Sequence, residues 1–202
     1  PDTFGYTAAL PQILKGCGVD YLVTQKIFWS YNDGDRFPYH YFKWKGNDGS
    51  EITSFLPTSY TYYTRPSDLC KVWNSKAQKR GLNDFLIPFG YGDGGGGPCR
   101  DHIEYILREK DLEGMPKVKM ESPVEMFDHL QENGGPKDTW VGELYFSAHR
   151  GVYTSQAMIK KNNRLGEISL REAELWGTLS EKYSYDVLVK LWKTLLLNQF
   201  HD

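Results

Sequence analysis

Four side chains stand where a catalytic or ligating group would be useful: Asp2, Asp93, His201 and Asp202. Asp93 lies in PFGYGDGGGGPC, residues 88–99, where one carboxylate is followed by four glycines. Glycine reaches backbone angles closed to other residues and lets another molecule approach the main chain, at an entropic cost that a plain connection does not require. The loop also fits the pattern G-x-G-x-x-G at Gly90, Gly92 and Gly95, but Asp93 would then face a pyrophosphate, and Pro98 and Cys99 delay the following helix. No P-loop lysine follows it either, so the loop reads as room for a ligand beside an acid, not as a phosphate cradle. His201 and Asp202 end an apolar helical run. Neighbours on a helix point about 100° apart, so both line one cavity only if the helix runs into it; otherwise they are a polar pair at the solvent boundary. Asp2, in PDTFG, read by itself is a turn or N-cap residue.

The composition narrows the partners. The chain has 202 residues and a formal net charge of −2, which provides no attraction for nucleic acid or an anionic membrane surface. Fourteen Tyr, ten Phe and six Trp make 15% of the chain, suiting either an aromatic core or platforms for the apolar faces of sugars. Cys17, Cys70 and Cys99 are widely spaced and odd in number, which is no disulfide framework and fits a reducing compartment. No apolar run is long enough to span a bilayer. The chain opens without Met and stops directly after a helical run, so it reads as an internal piece of a longer polypeptide.

The elements that must position these groups alternate. A helix over 8–14 ends near Gly16 and Gly18, and 21–24 is a short strand. Two strand-like runs flank Asn47-Asp48-Gly49, a hairpin signal. A helix follows Pro66, with Ser67 as its cap and Gly81 past its end. The run 84–90 reads as a strand that delivers the chain into the glycine loop. A helix at 101–111, a strand at 117–122 and a helix opened by Ser122 and Pro123 come next. This pattern predicts an α/β fold, a barrel-like parallel sheet with flanking helices over 1–140, followed by the start of a helical bundle over 141–202. In such folds the chemistry lies at the C-terminal ends of strands, which is where the glycine loop falls.

Taken together, PDTFGYTAALPQI (1–13), GYGDGGGGP (90–98), GELYFSAHRGVYTSQA (142–157) and LLLNQFHD (195–202) resemble the glycoside hydrolase family 38 α-mannosidases, in particular the cytosolic or vacuolar subgroup. The resemblance implies a retaining exo-α-mannosidase acting on mannose-containing oligosaccharides in the cytoplasm or in a vacuole or lysosome. It also implies a metal cofactor, zinc or alternatively cobalt. Homo-oligomerisation of the full-length protein is left open. Asp2 then corresponds to the nucleophile and a metal ligand, and His201 to a second ligand. Asp93 corresponds to the general acid/base, Phe4 to an aromatic lining the sugar subsite, and Asp202 to the carboxylate holding sugar hydroxyls. Tyr60 or Tyr62 stands for an active-site tyrosine. Asp93 is followed by Gly94, where Golgi and lysosomal members carry two adjacent aspartates. The family's H-x-D motif, source of two further metal ligands, does not occur in this sequence. The alternative is a non-catalytic carbohydrate-binding or structural piece with an incomplete metal site.

Overall fold

A computed structural model describes residues 2–93, 96–180 and 183–200. Two compact units divide the chain, Pro1–Ala148 and His149–Asp202. The first unit is built on a four-stranded sheet in the order β1-β3-β2-β4, with β1 at Tyr21–Val23, β2 at Tyr41–Lys45, β3 at Glu51–Phe55 and β4 at Thr139–Val141. The α/β class holds as expected. Within the described residues, however, the sheet is open, and its central β2–β3 pair is antiparallel, while β1 runs parallel to β3 and β4 parallel to β2. The hairpin signal accounts for the reversal. Asp48 accepts hydrogen bonds from the Ser50 amide (3.0 Å) and hydroxyl (2.6 Å), and Gly49 supplies a φ of +88°. Lys45 is thereby set opposite Glu51 and Tyr41 opposite Phe55.

That register sorts the side chains onto two faces, as a period of two requires. Leu22, Phe42, Trp44 and Ile52 pack on one face with Tyr6, Leu144 and Phe146. The other face takes Tyr41 and Phe55, with Leu82 and α5, Pro123–Glu132. Ser122 and Glu125 cap α5 reciprocally, with Pro123 in its first turn. Ten residues are too few for a stable isolated helix. Burial of Met126, Phe127 and Leu130 on the sheet, about 1.5–3 kcal/mol for each side chain, supplies the rest. Tyr21 stacks on Phe127 at 4.4 Å between centroids, and its hydroxyl donates to Asp128 at 2.8 Å.

Three expected elements differ. The run 84–90 is no strand; it makes one parallel bridge, Phe89 with Tyr62, because Pro88 lacks the amide that a ladder needs. The run 117–122 is no strand either, and its Val118 amide bonds back to the Lys110 carbonyl, closing the loop after α4, Arg100–Glu109. The helix after Pro66, α3, is capped at Arg65 instead of Ser67 and stops at Ser75, well short of Gly81. Its end is set by tertiary contacts. The Ala77 amide donates to His40 Nε2 at 2.9 Å, and Gln78 Oε1 accepts from the His40 and Tyr41 amides, each at 2.9 Å. Gln78 Nε2 then donates to Asp138 at 2.9 Å and to the Tyr41 carbonyl at 3.2 Å. Residues 76–78 are drawn into the core, and the helix cannot continue.

The remaining elements of the first unit include α1, Leu10–Gly16, a single turn, α2, Lys26–Trp29, and a 3-10 turn, Asn32–Gly34. In the second unit α6, Ala157–Gly177, and α7, Tyr185–Leu197, form a helical pair with no strand among the described residues. A Cβ on Gly166 would lie 2.9 Å from Leu195 Cδ1, so this glycine permits the close approach of α6 and α7. Trp192 Nε1 donates to Glu174 at 2.7 Å across the same contact. Among the described residues no helix is long and apolar enough to cross a membrane.

His40 is fully buried between elements. Its Nδ1 donates to the Leu56 carbonyl at 2.6 Å and its Nε2 accepts from Ala77, a pattern that only the neutral ring can make. Burial pushes its pKa down to about 4, with the charges of Arg36, Lys76 and Lys79 acting in the same direction against the Leu56 hydrogen bond. A base with a depressed folded-state pKa stabilises the fold fully above its unfolded value near 6.5, and that stability is lost as pH falls from there towards 4. Denaturant unfolding of the chain is therefore expected to lose about 3 kcal/mol between pH 7 and pH 4 from this group. In His40→Gln this component of the pH dependence disappears; an unchanged profile would refute the assignment.

Candidate active site

The segment around Asp2 is held against the sheet by paired hydrogen bonds between Tyr6 and Leu144, 2.9 Å in each direction. The Tyr6 hydroxyl also shares a hydrogen bond with Thr24, the residue that follows β1. These ties set Asp2 beside the first turn after that strand. Asp2 Oδ1 is buried and lies 2.8 Å from Lys26 Nζ. The Lys26 side chain is 15% exposed. Its ammonium lies 5.1 Å from the Phe4 ring centroid and 4.6 Å from that of Trp29. Phe4 in turn stacks on Phe146 at 5.4 Å and meets Trp29 edge-on at 6.2 Å. Trp29 is 54% exposed. A carboxylate, an ammonium and an aromatic wall thus converge at the C-terminal end of β1.

β3 is parallel to β1, so its C-terminal end opens on the same side. The segment that follows it contributes Tyr60, whose hydroxyl accepts from the Gln25 amide at 2.9 Å and bonds Thr24 Oγ1 at 3.1 Å. Tyr60 therefore braces the turn that carries Lys26. Tyr62, the alternative tyrosine, bonds Thr58 through its hydroxyl and lies two residues further along.

The glycine loop is fastened to this same segment. The Tyr62 amide donates to the Pro88 carbonyl at 3.1 Å, and the Gly90 amide donates back to the Tyr62 carbonyl at 3.3 Å. The Tyr91 amide donates to the Gly97 carbonyl at 3.1 Å and closes the loop on itself. Asp93 stands exposed on the loop in a left-handed conformation, φ +51°. At the foot of the loop Cys99 caps α4. Its amide donates to His102 Nδ1 at 3.2 Å and its sulfur lies 3.1 Å from the same atom. Hydrogen bonds from the backbone of His102 and Asp101, together with the Tyr91 hydroxyl, hold the Cys99 thiol below its usual range. His102 is 4% exposed and stacks on Tyr63, with Tyr91 edge-on at 5.1 Å.

Of the expected site residues, Asp2 and Phe4 meet at Lys26 and Tyr60 braces the turn that carries it, while Asp93 stands exposed on the glycine loop. His201 and Asp202 lie outside the described residues. Among the described residues no three His, Cys, Asp or Glu side chains gather as a metal shell. The described donors therefore do not by themselves fit a closed zinc site: of the expected ligands they include Asp2 alone, and its carboxylate faces an ammonium. Lys26 and Trp29 carry no role in the sequence reading. Their signal is their spacing, three apart in the first turn after a strand, which puts both on one face.

The sequence model of the glycosyl hydrolases family 38 N-terminal domain matches residues 1–143, and that of the alpha mannosidase middle domain matches residues 147–202. The chain is 40% identical over 210 residues to alpha-mannosidase 2C1 of Mus musculus, covering all of this chain and 20% of that protein. It is 39% identical over 209 residues to alpha-mannosidase G of Dictyostelium discoideum and 37% identical over 221 residues to the alpha-mannosidase of Saccharomyces cerevisiae. Each match covers 100% of this chain and 19% or 20% of the relative, so the chain spans about a fifth of their length. The crystal structure of an alpha-mannosidase from Enterococcus faecalis V583 superposes with a TM-score of 0.62 at 18% identity, over 98% of this chain and 24% of that one. At that identity the likeness speaks for the fold.

The loop geometry yields a paired test. Gly90 has φ +125°, and a Cβ there would lie 2.8 Å from the backbone of Gly97 and of Pro98. Gly97 has open space around it. Gly90→Ala is expected to destabilise the chain by about 1–3 kcal/mol, and Gly97→Ala by less than about 0.5 kcal/mol. Denaturant unfolding of both variants checks this, and equal losses would contradict the closed loop.

Proposed function

The chain belongs to the family 38 glycosyl hydrolases, and on that premise we propose that the protein it forms part of is a retaining exo-α-mannosidase. Its substrate on this reading is a mannose-containing oligosaccharide, cleaved at the terminal sugar in the cytoplasm or a vacuole. The observation that carries the proposal is the buried Asp2 oxygen held 2.8 Å from Lys26, against an aromatic wall at the C-terminal ends of two parallel strands.

Retention requires a nucleophile on one face of the sugar and an acid on the other, with carboxyl groups about 5–5.5 Å apart in the working enzyme. In the proposed reaction an Asp2 oxygen attacks the anomeric carbon while the bond to the leaving oxygen breaks, and Asp93 donates its proton to that oxygen. Asp93, now ionised, takes a proton from water as the water oxygen attacks the same carbon, and the ester to Asp2 breaks. Asp2 acts as a carboxylate facing the Lys26 ammonium 2.8 Å away. Asp93 must alternate between two protonation states. Its exposed position on a glycine-flanked loop leaves space for the departing sugar. Phe4 lines the sugar position, Tyr60 braces the turn behind it, and Asp202 holds sugar hydroxyls. Zinc, or cobalt in its place, is proposed as cofactor on the family resemblance, with Asp2 and His201 as this chain's ligands; when bound it would grip and orient mannose hydroxyls. The steps above run through the two carboxyl groups.

In the full-length protein Asp2→Ala is expected to lower turnover of an aryl α-mannoside by at least about 10³-fold. Near-normal activity would remove the nucleophile assignment. Asp93→Asn should lower kcat/KM on methyl α-mannoside by about 10²–10⁴-fold and on an activated aryl mannoside by much less, since a good leaving group needs little protonation. Equal losses on both substrates would count against the acid role. Binding of mannose without turnover by the unaltered protein would favour a non-catalytic carbohydrate-binding module.

A further inference from the structure

Asp2 already has a cation. Lys26 Nζ lies 2.8 Å from its Oδ1, an atom out of contact with water. The ammonium is kept there by more than its charge. Its side chain is 15% exposed, and the rings of Phe4 and Trp29 stand 5.1 and 4.6 Å from the nitrogen. Aromatic faces attract a cation, more strongly where water is excluded. Lys26 is also fixed from below. It opens α2, the Gln25 amide before it is bonded to Tyr60, and Phe28 in the same turn stacks on buried His40 at 4.3 Å. A divalent ion arriving at the same carboxylate would come within a few ångströms of this nitrogen. Two like charges so close, in a partly desolvated pocket, repel strongly. Either the ammonium leaves its ring cradle or the ion binds against its field.

We infer that Lys26 is a built-in counter-ion that competes with a divalent cation for the Asp2 carboxylate, and so weakens the metal affinity of this site. The inference rests on the proposed reading of Asp2 as a metal ligand and goes beyond it by naming the group that opposes the metal. It also separates two tasks. Without metal, Lys26 holds the Asp2 carboxylate in place; were a metal bound, Lys26 would set how readily it is lost.

The test is direct metal binding, independent of activity. The full-length protein, stripped with a chelator, is titrated with Zn²⁺ by calorimetry as wild type, Lys26→Met, Lys26→Gln, Lys26→Arg and Asp2→Asn. Lys26→Met and Lys26→Gln should each tighten the Kd by roughly tenfold or more, because a positive charge is removed. Lys26→Arg keeps the charge and should stay within about threefold of wild type. Agreement between Met and Gln guards against misfolding of either variant. If Asp2→Asn weakens binding while both neutral variants leave the Kd unchanged or weaker, the competition is refuted and the metal reading of Asp2 stands. If Asp2→Asn leaves Zn²⁺ binding untouched, that metal reading falls and the competition with it.

Discussion

The neutral imidazole of His40 is the contact on which the first unit depends. It joins three parts of the chain that have no short-range reason to meet. Its Nδ1 holds the carbonyl of Leu56 just beyond β3, its Nε2 holds the amide of Ala77 just beyond α3, and its face stacks on Phe28 in α2. Phe85 meets its ring edge-on at 4.8 Å. A ring buried this deeply is stable only when both nitrogens are satisfied and uncharged. Gln78 completes the same plug by taking up the amides of His40 and Tyr41. The polar groups are thus paired inside an aromatic core, where an unpaired one would be costly.

This arrangement reaches the candidate site through short connections. Phe28 shares one helical turn with Lys26 and Trp29, so fixing its ring fixes the turn that meets Asp2. Leu56 lies four residues before Tyr60, whose hydroxyl closes on Thr24 and Gln25 from the other side. Two parallel strands end together, and each sends its following segment to the other. The carboxylate of Asp2 then meets Lys26 on the turn after β1, which the segment after β3 braces through Tyr60.

The loop that carries Asp93 is built differently. Asp93 sits on a loop whose ends are tied, at Tyr62–Phe89 and at Tyr91–Gly97, and whose middle is glycine. The foot of the loop is the start of α4, where Cys99 occupies a place that serine or threonine commonly fills and His102 reaches back to its amide. A rigid support for the nucleophile and a tethered, small-residue loop for the acid/base suit their proposed tasks. The first carboxylate must hold one position on one face of the sugar, and the second must serve a leaving group and then a water.

Much of this was legible from residues a few positions apart. Ser122 and Pro123 announce the opening of α5; Asn47-Asp48-Gly49 announces the hairpin; the run 141–202 announces the helices of a bundle. Capping, turn chemistry and helical period act within a few residues, and the sequence by itself determined these elements, the α/β class of the first unit, and the glycine loop with its single acid. Its ordered motifs also pointed to the family. What only the tertiary structure decided lies between residues far apart. β4 becomes a strand because β2 offers an edge, with Trp44 bonded to a carbonyl 98 positions away. The helix after Pro66 stops because His40 and Gln78, 38 positions apart, find each other. Asp2 meets Lys26, and Trp29 stands beside them, because two strand ends are aligned by pairing. Burial and charge pairing act through space, and no local pattern records which distant group will arrive.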